Sequence, residues 1–275
     1  MKKLLLDPRV IGCTAALALS LVAAPSVPAH AARATAAQKK SAAAQPSLSP
    51  SDTVREFYKL MRERRFREAF MLSIYAPAVS GLSAAEYDDL RPDFEQRALD
   101  APAAVELTGE QISGNDATVF MKLGGEKDPR DMKIIPIFLV RDKQGPWLIG
   151  DRDSQKIVEK SGKKFFFEAR IEAHHDVVED MLKRISTAQL VHASQNGGAY
   201  GDLQALTRAG LVPADILSTE STGYRFRVAP APGGKGWTAG AEPARYGHTG
   251  RLSFHIDQSG SLRKEDKGGK PVKGS

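Results

Sequence analysis

The chain has 275 residues, 41% hydrophobic and 26% charged, fractions that exclude a wholly disordered chain, a collagenous repeat and a polytopic membrane protein. Its 39 Lys and Arg against 33 Asp and Glu give a formal net charge of +6. Lys2, Lys3 and Arg9 against Asp7 supply two of these charges, and the remaining surplus of +4 is spread between a basic linker and a basic tail, which argues against a nucleic-acid surface. Its one cysteine, Cys13, lies near the N-terminus, so the remainder has no thiol for a disulfide, an iron–sulfur site or a cysteine zinc site.

Residues 1–31 read as an export signal: Lys2 and Lys3 start it, an apolar run follows from Val10 to Ala24, and the small residues Ala29 and Ala31 mark cleavage after Ala31. Val10 to Cys13 has the composition of a lipoprotein box, but that box should follow the apolar run, and here it opens it. The apolar run is shorter than the roughly 20 residues needed to span a bilayer, so no stable membrane span is expected after cleavage. A periplasmic or secreted location follows. Residues 32–49 are Ala, Gln, Ser, Lys and Pro with little to bury, and are expected to be a disordered linker.

Order is expected from Ser49, Pro50 and Asp52, which stand as N-cap, first helical residue and third-position carboxylate. Val54, Phe57, Tyr58 and Met61 recur at helical spacing, Phe66, Ala69 and Phe70 suggest a second short helix, and Ser83 with Glu86 opens a third carrying Tyr87, Leu90 and Phe94. After Pro102 the pattern turns to strands over 105–111, 117–123, 132–141 and 147–150. Helices followed by an antiparallel sheet predict an α+β domain over 50–153. This order, with VREFYKL at Val54, REAFML at Arg67 and WLIGD at Trp147, resembles the cone-shaped nuclear-transport-factor superfamily. The resemblance implies a cone whose interior holds a pocket, and the residues nearest to a polar set there are Tyr58, Asp88 and Asp93. The competing reading makes Tyr58 a core aromatic and the aspartates solvated helix charges. No histidine lies between Ala32 and Arg170, which removes the side chain most used for proton transfer near neutral pH.

Residues 153–164 are polar and read as a junction, after which a long helix is expected over 164–195, ended by Asn196, Gly197 and Gly198. Ile171, Val178, Leu182 and Ile185 form its apolar stripe. A short helix over 202–209 and strands over 223–228, 237–241 and 251–257 follow. Ile185 to Gln189, Tyr200-Gly201, Gly223 to Phe226, Tyr246 to Gly250 and Phe254 to Gly260 together resemble the globular part of type IV pilins and type II secretion pseudopilins. The resemblance covers residues 164–263 and implies a long helix laid on a small antiparallel sheet. A pilin also needs an apolar helix before this point, whereas Lys163, Lys164, Glu168, Arg170 and Glu172 stand there. Phe165, Phe166 and Phe167 are expected to dock the helix on the first domain, since three exposed phenylalanines invite aggregation.

His175 and Glu179 are spaced to grip a metal ion from one helix face, but a site needs a third ligand and His192 is several turns away. Gly234, Gly236 and Ala239 fall between two strands and read as a hairpin turn, with no helix to receive a phosphate. Residues 264–275 read as a disordered basic tail. No metal or cofactor is expected. The chain reads as an exported, non-catalytic interaction or scaffold protein with an envelope protein as partner; the alternative is a small-ligand carrier, or an isomerase- or dehydratase-type enzyme using the cone pocket.

Overall fold

A computed structural model describes residues 48–124, 130, 132–234 and 236–272. It is an α+β protein of antiparallel sheets and one long helix. The described chain falls into two compact units, one of residues 48–76 and Ala98–Ile157, the other of Pro77–Arg97 and residues 158–272.

The first unit opens with α1 (Pro50–Arg62), where the Ser49 hydroxyl accepts the Asp52 N–H at 3.1 Å and Pro50 fills the first turn. One face of α1 buries Val54, Phe57, Tyr58 and Met61. The short α2 (Phe66–Met71) adds Phe66 and Phe70 to the core, and α3 (Ala76–Ser80) crosses the boundary between the units. Beyond α4 (Ala84–Ala98), which belongs almost wholly to the second unit, strands β1 (Glu106–Ser113), β2 (Asp116–Leu123), β3 (Lys133–Val140) and β4 (Leu148–Ile149) pair antiparallel in chain order. Val119 faces Ile137 and Ala117 faces Leu139 across β2 and β3, so period-two alternation puts these four in the core. Ile74 N–H bonds to the Ile149 carbonyl at 3.0 Å. Gly150 follows with φ +136°, and a Cβ there would collide with the Ile74 side chain, so both backbone and space require glycine.

The helix α5 (Arg152–Ser161) occupies the stretch expected as a junction, and the boundary between the units falls inside it, after Ile157. Only Val158 of this helix is buried, which is why an apolar period is hard to see there. A turn of 3-10 helix then leads into α6 (Phe165–Gln195), 31 residues long.

In the second unit α6 buries Ile171, His175, Val178, Leu182, Ile185 and Gln189 on one face, a helical three-and-four spacing. That face packs on strands β5, β6 and β7 of a four-stranded sheet, which follows α7 (Leu203–Arg208) and the single helical turn α8 (Thr219–Thr222). The strands are β5 (Tyr224–Pro230), β6 (Trp237–Pro243), β7 (Leu252–Asp257) and β8 (Arg263–Asp266), antiparallel in that order. Tyr224, Phe226, Trp237, Ala241, Phe254 and Ile256 close the core against Val178, Leu182 and Ile185. Buried Gln189 is satisfied by one residue: its amide N–H donates to the Gly201 carbonyl at 2.7 Å and its oxygen accepts the Gly201 N–H at 2.9 Å. At the turn before β7, Gly250 leaves room for the Tyr224 ring, whose hydroxyl donates to the Leu252 carbonyl at 3.0 Å; any Cβ would overlap that ring.

Two boundaries differ from the sequence reading. The helix α4, expected in the first domain, packs in the second unit, because Phe94 meets Phe166 with ring centroids 5.0 Å apart and Asp93 binds Arg170. Residues 264–266, expected in a disordered tail, form most of β8, and Val272 beyond them is buried. Charged residues suit an edge strand, which gains its order from backbone pairing and needs little apolar surface.

Candidate binding groove

A recess of about 300 Å³ in the second unit is lined by Leu203 of α7, Ile216 and Leu217 of the 3-10 turn before α8, Thr219, four consecutive residues of β5 (Tyr224 to Arg227) and Glu242 of β6. Side chains of neighbouring strand residues point to opposite faces, so a recess that touches four in a row lies along the strand's edge. Among the described residues β5 pairs with no strand but β6, so its other edge carries no strand, although α7, α8 and the 3-10 turn approach β5.

The register identifies the groups presented there. The Ala231 N–H bonds to the Gly236 carbonyl at 2.8 Å and the Ala244 N–H to the Gly223 carbonyl at 2.9 Å. Antiparallel pairs alternate between bonded and non-bonded, so Arg225, Arg227 and Ala229 bond to β6, while Tyr224, Phe226 and Val228 aim their N–H and C=O groups at the open edge. Tyr224 is capped locally, its N–H reaching the Thr222 hydroxyl at 3.1 Å. Pro230 has no N–H. Among the described residues the outward backbone groups of Phe226 and Val228 have no hydrogen-bond partner, which leaves them for solvent or a partner chain.

Charge is arranged around the same edge. The Arg225 guanidinium donates to the carbonyls of Pro243 at 3.1 Å and Ala244 at 3.2 Å, neutral acceptors that leave its charge uncancelled. Arg227 donates to the Glu242 carboxylate, whose side chain is only 6% exposed while that of Arg227 is 60% exposed. Burial pushes the Glu242 carboxyl above its usual range, and the pull of Arg227 and Arg225 does not offset it. Leu217, 54% exposed, adds an apolar wall.

A second polar cluster lies in the same unit. Arg170 donates from Nε to Asp93 at 2.9 Å and from Nη2 to the Asp89 carbonyl at 2.6 Å, and Asp89 also takes Arg245. Burial works against the Asp89 carboxylate, but Arg245 and Arg170 outweigh it and hold its pKa low. The recess beside it, about 60 Å³ between Leu90, Phe94, Phe166, Arg170 and His174, has room for a water or two and not for a metabolite.

The residues singled out in the sequence fall as follows. Tyr58 is buried in the first unit with its ring edge-on to Phe57, and burial alone pushes its hydroxyl up to about 12. Asp88 and Asp93 belong to the second unit, Asp88 exposed and Asp93 bound to Arg170, so the three do not share a unit. Phe166 and Phe167 are buried and Phe165 half-buried; Phe166 packs on Phe94, and Phe167 on the His248 ring at 5.0 Å. The triplet thus anchors α6 within its own unit, α4 included. His175 does not turn to Glu179: its Nε2 accepts the N–H groups of Arg251 and Leu252, each at 3.3 Å, and Glu179 pairs with Lys264. Gly234 lies in the β5–β6 hairpin. Ala29, Ala31 and Cys13 lie outside the described residues. Among the described residues no helix is long and apolar enough to cross a membrane.

The groove itself escaped the sequence reading. Its trace was present in the alternation of Tyr224, Arg225, Phe226, Arg227 and Val228, and in Pro230, a residue tolerated at sheet edges. Comparison of the chain with protein-family models, with curated proteins and with solved structures finds no match.

Proposed function

We propose that the protein is an exported, non-catalytic interaction component of the cell envelope, and that its partner is another envelope protein. The observation that carries this reading is the open edge of β5, where unbonded backbone groups, two arginines and apolar walls meet in one groove. Such a combination suits a protein chain better than a small molecule. Export rests on the three-part N-terminus. The groups offered for proton transfer have other employment, which favours binding over catalysis: Tyr58 is held protonated by burial and Asp93 is tied to Arg170.

Within this reading the second unit is a pilin-like module, supported by a long helix whose apolar face lies on a four-stranded sheet. The first unit is a cone-like module of the nuclear-transport-factor kind, supported by helices packed on one face of a second antiparallel sheet. The charged start of α6 argues against assembly into a fibre, because burying Lys164, Glu168 and Glu172 against copies of the chain would be costly without matched partners. Purified mature protein should appear as discrete particles in electron micrographs, and chemical crosslinking in envelope preparations should join it to a defined protein. Filaments, or no crosslinked species, would count against the proposal.

A further inference from the structure

We propose that the open edge of β5 takes a short extended acidic segment of the partner as an added strand, with partner backbone bonded to Phe226 and Val228 and partner carboxylates facing Arg225 and Arg227. This deepens the interaction reading above, on which it rests, by naming the partner chemistry for the same groove.

Backbone geometry sets the mode. Phe226 and Val228 both turn N–H and C=O away from β6, whereas Tyr224 is capped by Thr222 and Pro230 offers no N–H. The pairing window is therefore centred on residues 226–228, and only a short strand is needed. Main-chain bonds of this kind give affinity, and pockets for alternate side chains give selectivity.

Electrostatics sets the sign. Arg225 and Arg227 lie on one face of β5, with Glu242 as the one carboxylate lining the groove. Arg225 spends its donors on carbonyls, so it keeps a full positive charge. Glu242 pairs with Arg227, whose side chain nevertheless stays 60% exposed, while Arg225 has no carboxylate partner in the groove. On the opposite face of the added strand, Leu203, Ile216 and Leu217 offer apolar contact. A segment alternating acidic and apolar residues matches both faces, since alternate side chains of a strand diverge.

The probe is a fluorescein-labelled octapeptide alternating glutamate and valine, compared by anisotropy with the same peptide carrying lysine for glutamate, both titrated into the full-length secreted protein. The acidic peptide should bind at least tenfold tighter. Val228→Pro removes one outward N–H and no N–H that bonds to β6. Because the Val228 side chain is in the core, Trp237 fluorescence and circular dichroism first establish that the variant is folded. The folded variant should bind at least fivefold more weakly, while Arg225→Lys, which keeps charge and backbone, should retain the preference for the acidic peptide. Arg225→Glu with Arg227→Glu should reverse the preference between the peptides. Equal affinity for the two peptides, or undiminished binding by a folded Val228→Pro, would overturn the site. In parallel, wild-type and Val228→Pro proteins are crosslinked in envelope preparations. A defined partner joined equally to both leaves the interaction reading standing and rejects this groove as its seat; the absence of any partner together with the absence of peptide binding rejects both.

Discussion

Three ion pairs of the first unit lie in solvent: Arg55 with Asp52, Arg65 with Glu68 and Arg152 with Asp116 all have both side chains more than a third exposed. In the second unit Arg170, its side chain 7% exposed, sits between Asp89 and Asp93 beside the apolar face of α6. The same chemical pair does different work in the two settings. Exposed pairs contribute roughly 0–1 kcal/mol, whereas removing one member of a buried pair leaves an uncompensated charge and costs about 3–5 kcal/mol. In the second unit a buried charge pair helps to fix how α4 and α6 meet.

The largest effects should not distinguish the units. Phe66→Ala in the first and Phe254→Ala in the second each empty a site at most 1% exposed and should each cost about 4 kcal/mol in urea unfolding. A markedly smaller loss for either would mean that its core collapses around the gap. The charge difference appears next. Arg170→Ala should cost about 3 kcal/mol, toward the lower end because Asp93 is 35% exposed. Arg65→Ala, at a solvent-exposed pair, should leave the urea midpoint unchanged within error. Similar values for the two arginines would dissolve the contrast.

A smaller and more selective effect is expected from pH. His174 donates from Nδ1 to the Thr249 carbonyl at 2.8 Å, and His175 accepts two backbone N–H groups through Nε2, so both rings serve α6 in the neutral form. Burial lowers both pKa values, against the weaker upward pulls of the Thr249 carbonyl on His174 and of Glu172 on His175. The unfolded chain then binds more protons than the native state below about pH 6.5. Stability from these two rings is therefore present above that pH and is lost as the pH falls through their lowered values. Thermal unfolding should show the second unit losing stability between pH 7 and pH 5, with a flatter profile in a His174→Gln, His175→Gln variant. Residues 48–157 contain no histidine, so the first unit should be nearly indifferent over that range. Equal acid sensitivity of both units would contradict the assignment.

The legible parts of the fold are those written in local periodicity. The stripe from Ile171 to Ile185 predicts α6, the alternation around Val119 predicts β2, and Ser83 with Glu86 predicts a capping box whose two reciprocal bonds are present at 2.9 and 3.3 Å. Partner choice is not local. Leu90 and Phe94 mark the apolar face of α4, but nothing in their spacing says that Phe166 covers it. The strand β8 consists of four charged residues, Arg263 to Asp266, and so has no hydrophobic pattern to read. The groove was hidden for the same reason: the arginines of β5 can be read from alternation, whereas the edge position of β5 depends on a strand order set by distant pairings.

Amide hydrogen exchange across β5 tests the central claim most directly, because it reads the edge residue by residue. In the free protein the amides of Arg225, Arg227 and Ala229 should be protected, while those of Phe226 and Val228 exchange fast; addition of the acidic octapeptide should slow Phe226 and Val228 at least tenfold. Protection of Phe226 and Val228 before any peptide is added, or their unchanged exchange in its presence, would contradict the account.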